Sequence, residues 1–483
     1  MPLIEKTATR SAPGRLAHGS TSTSAASLAD AIPAAANVAT DFQTVSTRRT
    51  VYFALMIFAA ALAVRVLFLT VQMVHYPQPW SHTAPFGQAE MGSIAVNLAE
   101  GRGYSSPFGP GTAPTAWLCP LVPLLWAFVI RCVGSATGYT ARIVMYLNTI
   151  PSAGCVVVYW LIARHILRGR PALRRTAFLV AAIFCLWPDS LYRIIDGWYY
   201  AWQELGAALV VLLGMRWIDR PNLKTVVPLG IAGGIWALIN VSPIPIFAVI
   251  LLLPVLENRK RRKQILGYGV VGAALALLIV MPWLVRNAVV LHAFVPLRAN
   301  AGFQFWEGNN PDGCVRETAT SRHPAFQPAE LQRYRALGEI EYSRQGLRDG
   351  VAYVRTHPLQ TIVRTGERAY VFWFTDVLDQ WSWDGRKYWD FGRPAIARNL
   401  SSTFAAWGTI ILLIWALRSG RLATLPYKWL FIGILFFLPF PYYFALADND
   451  YSQILRSWLL LLTILAFSAG FRRARELPPL AQI

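Results

Sequence analysis

The chain has 483 residues, of which 55% are hydrophobic and 14% are charged, and its formal net charge is +20. This is more apolar surface than one soluble core can hide, so the composition predicts an all-α polytopic membrane protein. The basic residues cluster between apolar runs, as at 259–263. This placement is typical of loops beside a cytoplasmic leaflet and argues against a nucleic-acid-binding protein.

Residues 1–47 are rich in Ala, Ser and Thr and contain no sustained apolar stretch, which predicts a disordered cytoplasmic tail and not a cleaved signal peptide. Arg48 and Arg49 then precede a first span from about 51 to 74. Because paired basic residues hold a helix end in the cytoplasm, this span carries the chain outward.

The first extracytoplasmic loop, 75–138, contains a lone carboxylate at Glu90. The apolar spacing of Ile94, Ala95 and Leu98 predicts one face of a short amphipathic helix, and Gly101 and Gly103 follow as a stop signal. Glu90 is therefore predicted in the first turn of that helix.

Five basic turns fix the predicted topology. They lie at 164–175, 216–224, 259–263, 418–428 and 472–475. All five share the cytoplasm with Arg48 and Arg49 only if the apolar run 117–133 does not cross the bilayer. Since Pro120, Pro123 and Arg131 interrupt that run, we predict a helix at the outer interface.

The predicted architecture has about ten transmembrane helices, interfacial helices in the first loop and a small extracytoplasmic lobe. The spans after the first lie near 139–163, 176–195, 198–216, 226–242, 244–257, 265–284, 401–417, 427–446 and 453–471. They divide the chain into a membrane module at 48–285, the lobe at 286–400, and C-terminal helices at 401–471 with a tail at 472–483. Both termini are predicted to be cytoplasmic, and helical patterning is expected within 329–353.

Ionisable residues inside spans need partners, because an unpaired charge there costs about 2.5 to 3.5 kcal/mol. Arg65 lies well inside the first span, and Glu204 is a candidate partner. Asp189 and Asp196 belong to an outer turn dense in aromatic residues, which predicts either an interfacial belt or a sugar site. We hold Asp196 as a second acidic candidate.

Several segments together resemble the GT-C glycosyltransferases over most of the chain, particularly bacterial family-39 proteins similar to dolichyl-phosphate-mannose protein mannosyltransferases. They are Arg65, Glu90 with IAVNLAEGRGYSSPFG, PTAWLCPLVPLL from Pro114, RIVMYLNTIPSAGCVVVYWLIAR from Arg142, PWLVRN from Pro282, FQFWEGNN from Phe303, and the THP that begins at Thr356. Many members of that class carry an adjacent acidic pair in the first loop, whereas this chain reads Gln88, Ala89, Glu90.

The resemblance implies transfer of a sugar from a polyprenyl-phosphate donor to a lipid, glycan or protein acceptor, with inversion, at the outer face of a bacterial plasma membrane. A carboxylate takes the acceptor's hydroxyl proton, and Glu90 is the expected base. The structural alternative is that Glu90 only favours a helix N-terminus, worth about 0.3 to 1 kcal/mol.

The leaving phosphate needs cations at the outer interface. Four arginines are candidates, namely Arg286 as the favourite, Arg298, Arg364 and Arg368. The alternative is that they contact lipid headgroups. Asn309 and Asn310 could bind acceptor hydroxyls or a divalent cation, although the segment 308–313 also has the composition of a plain turn.

The sequence gives no metal-site spacing. The cysteines stand at Cys119, Cys132, Cys155, Cys185 and Cys314. Their separations predict neither a zinc site nor a disulfide framework, and His323 and His357, each before a proline, are interpreted as loop residues. No cofactor is expected with certainty.

Two other classes of function remain open. A transporter or flippase for lipid-linked saccharides would carry ionisable residues deep in several spans and two related halves. A non-catalytic partner in an envelope-polysaccharide assembly would not need Glu90.

Overall fold

The computed structural model describes residues 26–75, 89–111, 113–134, 138–168, 173–195, 198–242, 244–313, 322–374, 392–422, 425–447 and 451–468. Side chains are described within these ranges except at 26–47, 75, 89, 392–399 and 468. The chain divides into two units, Met1–Met56 and Ile57–Ile483. The described part of the first unit is the beginning of one long helix, and every contact reported below lies within the second.

The described residues are mostly α-helical and contain no strand. The helices before the predicted lobe are α1 Ala26–His75, α2 Ala89–Ala99, α3 Leu121–Val133, α4 Gly138–Ile166, α5 Arg174–Cys185, α6 Pro188–Tyr192, α7 Tyr200–Asp219, α8 Leu223–Ala237, α9 Ile244–Glu257 and α10 Arg262–Leu291. They are followed by α11 Ala301–Gly308, α12 Pro328–Leu337, α13 Glu339–Thr356, α14 Pro358–Phe374, α15 Gly392–Arg418, α16 Lys428–Phe437, α17 Phe440–Phe444 and α18 Gln453–Ser468.

Among the described residues, four helical segments are long and apolar enough to cross a bilayer. These are Arg48–Val74, Gly138–Ile166, Arg259–Leu291 and Leu400–Arg418. Five shorter apolar helices accompany them, and α3 is one of these. The chain is therefore a membrane protein, whereas the number of ten spans and their orientation stay predictions.

Prolines divide two of the predicted spans. The run 176–195 consists of α5 and α6, and Pro188 begins the second of these helices. The run 427–446 consists of α16 and α17, with Pro439 between them. Proline lacks an amide proton and clashes with the preceding turn, and at these two positions the helix ends before the proline.

Close backbone packing holds α8 against α10. A Cβ on Gly230 would lie 2.5 Å from the Gly272 carbonyl oxygen, and one on Gly234 would lie 2.8 Å from the Ala276 carbonyl oxygen. Such distances leave no room for a side chain, so glycine lets the two helices touch as small residues do in membrane bundles. This contact fixes α10, whose C-terminal end carries Arg286.

A buried ion pair joins three other helices of the bundle. The Arg456 guanidinium of α18 donates through Nε to Asp189 Oδ2 at 2.6 Å and through Nη2 to Asp189 Oδ1 at 3.0 Å. Ser402 of α15 donates to Asp189 Oδ1 at 2.9 Å. Since Asp189 and Arg456 are almost fully buried, the pair fixes α6, α15 and α18 together.

Arg65 and Glu204 have separate partners, so the candidate pair between them is replaced by two local networks. Arg65 donates to Ser152 Oγ at 2.7 Å and to the carbonyls of Phe184 and Cys185 at the end of α5. The last carbonyls of a helix have no partner within it and carry partial negative charge, so they suit a buried guanidinium.

The Glu204 carboxylate accepts instead from the hydroxyls of Tyr159 and Ser457 and from the Gln453 amide, at 3.2, 2.7 and 3.1 Å. These donors lie on α4 and α18, so Glu204 links three helices of the bundle.

The predicted lobe contains α11 to α14. Helices at 328–337 and 339–356 confirm the predicted helical patterning, with a break at Gly338, whose φ is +73°. Helix α11 packs tightly on α13, since a Cβ on Gly302 would overlap the Ser343 carbonyl oxygen. This packing places the Phe303 ring against Trp117 of the first loop.

Candidate functional site

Glu90 lies in the first turn of α2, as predicted. Ile94 and Ala95 are fully buried on one face of this helix, and α2 packs against α3. The chain turns away through Gly101 and Gly103, whose φ values are +79° and +77°. This arrangement holds Glu90 within the first loop with only 9% of the residue exposed.

His323 faces Glu90 from the segment before α12. The His323 Nε2 atom lies 3.4 Å from Glu90 Oε1. His323 Nδ1 accepts the Ala325 amide proton at 3.1 Å, so the ring proton of the neutral histidine belongs on Nε2, facing the carboxylate. Burial lowers the pKa of His323 below its usual 6.5, against the opposing effect of Glu90, so the ring is neutral near pH 7.

Aromatic rings fix the orientation of His323. Phe108, Trp117, Phe303 and Phe326 place their ring centroids 5.4, 6.0, 5.3 and 5.3 Å from that of the imidazole. The sequence analysis interpreted His323 only as a loop residue. No local pattern relates position 323 to position 90, because only the packing of α11 under the first loop brings them together.

Arg298 contacts the first loop. Its Nε donates to the Trp117 carbonyl at 2.9 Å. The Trp117 ring packs against His323, the residue that faces Glu90, so Trp117 links Arg298 to that histidine. Within the described ranges, no carboxylate forms an ion pair with Arg298.

Arg286 holds the first loop in place. It donates to the carbonyls of Thr115 and Tyr104 at 2.6 and 2.8 Å and to Asn287 Oδ1 at 3.0 Å. Its guanidinium carbon also lies 4.9 Å from the ring centroid of Trp283. These contacts occupy much of the donor capacity of the guanidinium.

Glu339 holds the same loop from the lobe. Its carboxylate accepts from the Ala116 amide at 2.7 Å, from the Tyr334 hydroxyl at 2.8 Å and from the Thr115 hydroxyl. Burial raises the pKa of Glu339 above its usual 4.5 despite these donors. The loop segment around residue 115 is therefore fixed between α10 and α13.

The other four predicted binding residues form a separate cluster at the C-terminal end of α11. Arg368 donates to the carbonyls of Gly308 and Tyr443, and Arg364 donates to those of Asn310 and Pro311. Asn309 donates to the carbonyls of Phe305 and Phe444, and Asn310 donates to those of Trp306 and Glu307. All four side chains thus satisfy carbonyls around a helix end.

Asp196 lies outside the described residues. Within the part of the chain that the structure describes, no group of three or more His, Cys, Asp or Glu side chains is arranged to hold a metal ion.

No protein-family model and no curated protein matches the chain. The solved structures that overlap with it include two of the oligosaccharyltransferase of Archaeoglobus fulgidus: AglB in complex with an inhibitory peptide and a dolichol-phosphate, and the apo form. Each is 14% identical with a TM-score of 0.49 over 87% of this chain, and the overlap covers 50% and 51% of those chains. The chain therefore spans about half the length of the solved structures it matches.

Proposed function

We propose that the protein is an integral membrane glycosyltransferase that moves a sugar from a polyprenyl-phosphate donor to an acceptor hydroxyl at the extracytoplasmic face, with inversion. The observation that carries the proposal is the position of Trp117, whose ring packs against the histidine that faces Glu90 and whose carbonyl accepts from Arg298. This reaction needs one group that takes the hydroxyl proton and a second, cationic group that stabilises the negative charge developing on the phosphate.

Glu90 is the base in this proposal. The acceptor oxygen attacks the anomeric carbon from the face opposite the phosphate, and Glu90 takes the hydroxyl proton as the new C–O bond forms. The old bond between the anomeric carbon and the phosphate oxygen breaks, and its electron pair leaves with the phosphate. His323 faces Oε1 of Glu90, which holds the carboxylate in one orientation.

Arg298 is the phosphate partner in this proposal. Arg286, Arg364 and Arg368 each donate to at least two backbone carbonyls. Among the described residues, Arg298 has a single backbone hydrogen bond, through Nε to the Trp117 carbonyl. Its terminal nitrogens can donate to a phosphate oxygen, for which a guanidinium is well matched. The proposal gives Asn309 and Asn310 a structural task at the end of α11.

The decisive experiment compares wild type with Glu90→Gln in lipid nanodiscs supplied with polyprenyl-phosphate sugars and total membrane acceptors. Gln has the size of Glu but is not basic, so we expect kcat to fall by roughly two to four powers of ten while donor binding persists. Glu341→Gln is the matched control, because Glu341 is a partly exposed carboxylate of α13 that forms ion pairs with Arg344 and Arg348. Transfer by Glu90→Gln at the wild-type rate would show that Glu90 is not the base.

The buried charges of the bundle favour a second candidate function, transport of a lipid-linked saccharide. Asp189 and Arg456 join Arg65 and Glu204 as buried ionisable residues, and intramembrane charges often mark transport pathways. Proteoliposomes that contain a fluorescent polyprenyl-phosphate sugar distinguish the two functions. Translocation without any transfer by the wild type would favour the transporter. An absence of both activities would favour the assembly partner.

A further inference from the structure

Helix α14 has two unlike faces. Arg368, Val371 and Phe372 are buried on one face, and Arg364 bonds the neighbouring loop from the same side. The opposite face carries four apolar or aromatic side chains at helical spacing. They are Leu359, Ile362, Val363 and Tyr370, with exposed fractions of 78%, 67%, 59% and 38%. A helix with one packed face and one open apolar face needs a further surface to cover it.

The open face leads toward a membrane-length helix. The ring of Tyr370 stacks on Phe374 at 5.5 Å, and Phe374 lies 4.6 Å from Trp407 of α15. Helix α15 is long and apolar enough to cross a bilayer, and its Phe404 and Ile411 are 73% and 59% exposed. The exposed apolar side chains of α14 therefore continue onto a surface that faces lipid.

We propose that α14 lies in the membrane interface with Leu359, Ile362, Val363 and Tyr370 inserted among lipid chains, so that the lobe is docked on the bilayer at the end of the bundle that carries Glu90. An amphipathic helix of this kind binds in the interface plane through its apolar face. The proposal does not depend on the transfer reaction, because it rests on the exposed face and its continuity with α15.

The docked helix also supports the site. Arg364 and Arg368, on its packed face, bond the carbonyls of Asn310 and Gly308 at the end of α11. Helix α11 presents Phe303 to both Trp117 and His323, with ring centroids 5.1 and 5.3 Å apart. Lipid binding by α14 thus fixes the elements that orient His323 toward Glu90.

Photochemical crosslinking tests which surface covers α14. Benzoylphenylalanine replaces Ile362 in the full chain, which is reconstituted in nanodiscs of phosphatidylcholine and phosphatidylglycerol and irradiated. The same probe at Arg344, an exposed position of α13, is the control. We expect phospholipid adducts at position 362 at least about fivefold above those at 344. Crosslinks from 362 to another segment of this chain or to a second copy, in place of lipid, would overturn the proposal.

Hydrogen exchange provides an independent measurement. Ile362→Asp with Val363→Asp adds charge only to the open face, so the packed face is left intact. In nanodiscs we expect the α14 amides of this variant to exchange about tenfold faster than those of wild type. In detergent micelles without a bilayer, the difference should shrink. Equal exchange by variant and wild type in nanodiscs would show that lipid does not hold α14.

Discussion

Two regions of the molecule hold buried carboxylates in opposite ways. In the bundle, Asp189 accepts three hydrogen bonds from Arg456 and Ser402, and Glu204 accepts from three side chains. At the first loop, the one ion-pair contact that the described residues give Glu90 is His323, at 3.4 Å. A carboxylate has about four acceptor sites, so Glu90 retains more capacity for a ligand than Asp189 and Glu204, each of which accepts three hydrogen bonds.

The difference separates structural from chemical use of the same side-chain type. Donors from three helices engage the bundle carboxylates, which fixes helix packing in a medium where an unpaired charge is costly. The charged groups that contact the first loop act instead on its backbone, since Arg286 donates to the Thr115 carbonyl and Glu339 accepts from the Ala116 amide. A reactive group needs this arrangement, in which the support is rigid and the group itself is left available.

The largest expected effect is the loss of stability when the buried pair of Asp189 and Arg456 is broken. Asp189→Ala leaves Arg456 buried without its partner, so the free energy of unfolding should fall by about 3 to 5 kcal/mol. Glu90→Gln should lower it by less than about 1 kcal/mol, because only a long contact to His323 is affected. Equilibrium unfolding in mixed micelles measures both values. The double variant Asp189→Leu with Arg456→Met should recover most of the loss, and the comparison fails if Glu90→Gln is the more destabilising change.

The next largest effect is expected for Arg298→Ala, which should weaken binding of the sugar donor. Charge-assisted hydrogen bonds contribute about 1.5 to 3 kcal/mol, so the KM for the polyprenyl-phosphate donor should rise by roughly 10- to 100-fold. Titration of transfer rate against donor concentration measures this change. Arg348→Ala, at an exposed position of α13, should leave KM unchanged. An equal rise in KM in both variants would remove Arg298 from the phosphate site.

His323 should have a smaller effect as a positioning residue. His323→Phe removes the Nε2 proton that faces Glu90 while keeping a ring, and kcat should fall about fivefold to tenfold. His323→Gln retains a donor and should recover part of that loss.

Because burial lowers the pKa of His323 below 6.5, the ring already is neutral above that pH. The wild-type pH profile of kcat should therefore show no inflection from this histidine between pH 6.5 and 8. Full activity of His323→Phe would show that Glu90 does not depend on the imidazole for its orientation.

The smallest effect is a pH dependence of stability from Glu339. Burial raises its pKa in the folded state above 4.5, so the folded state binds more protons than the unfolded state just above that pH. The contribution of Glu339 to stability is full below pH 4.5 and is lost as pH rises through the folded-state pKa. Glu339→Gln should flatten this slope, changing the unfolding free energy by less than about 1 kcal/mol per pH unit. An unchanged slope would place the titration elsewhere.

Much of the local structure could be predicted from the sequence. The face formed by Ile94 and Ala95 and the stops at Gly101 and Gly103 follow from side-chain period and backbone freedom, which are local properties. The helices within 328–356 likewise follow from the local side-chain pattern of that segment. Pro188 and Pro439 also stand in the sequence, but the predicted spans followed the length of the apolar runs and therefore crossed both prolines.

The partners of charged residues could not be predicted in this way. Arg65 matched Glu204 by chemical type, yet it bonds carbonyls at the end of α5, because which helix ends meet depends on how the bundle packs. Arg286, Arg364 and Arg368 are similar arginines in sequence. Their backbone contacts become visible only once the loop and the end of α11 are in place.

The sequence by itself determined the membrane class, the helical elements and the position of Glu90 at the start of α2, since composition and periodicity act over neighbouring residues. Only the tertiary structure decided that His323 faces Glu90 and that Arg298 donates to the Trp117 carbonyl. These contacts join residues more than a hundred positions apart, and their geometry depends on tight packing between helices that no local pattern specifies.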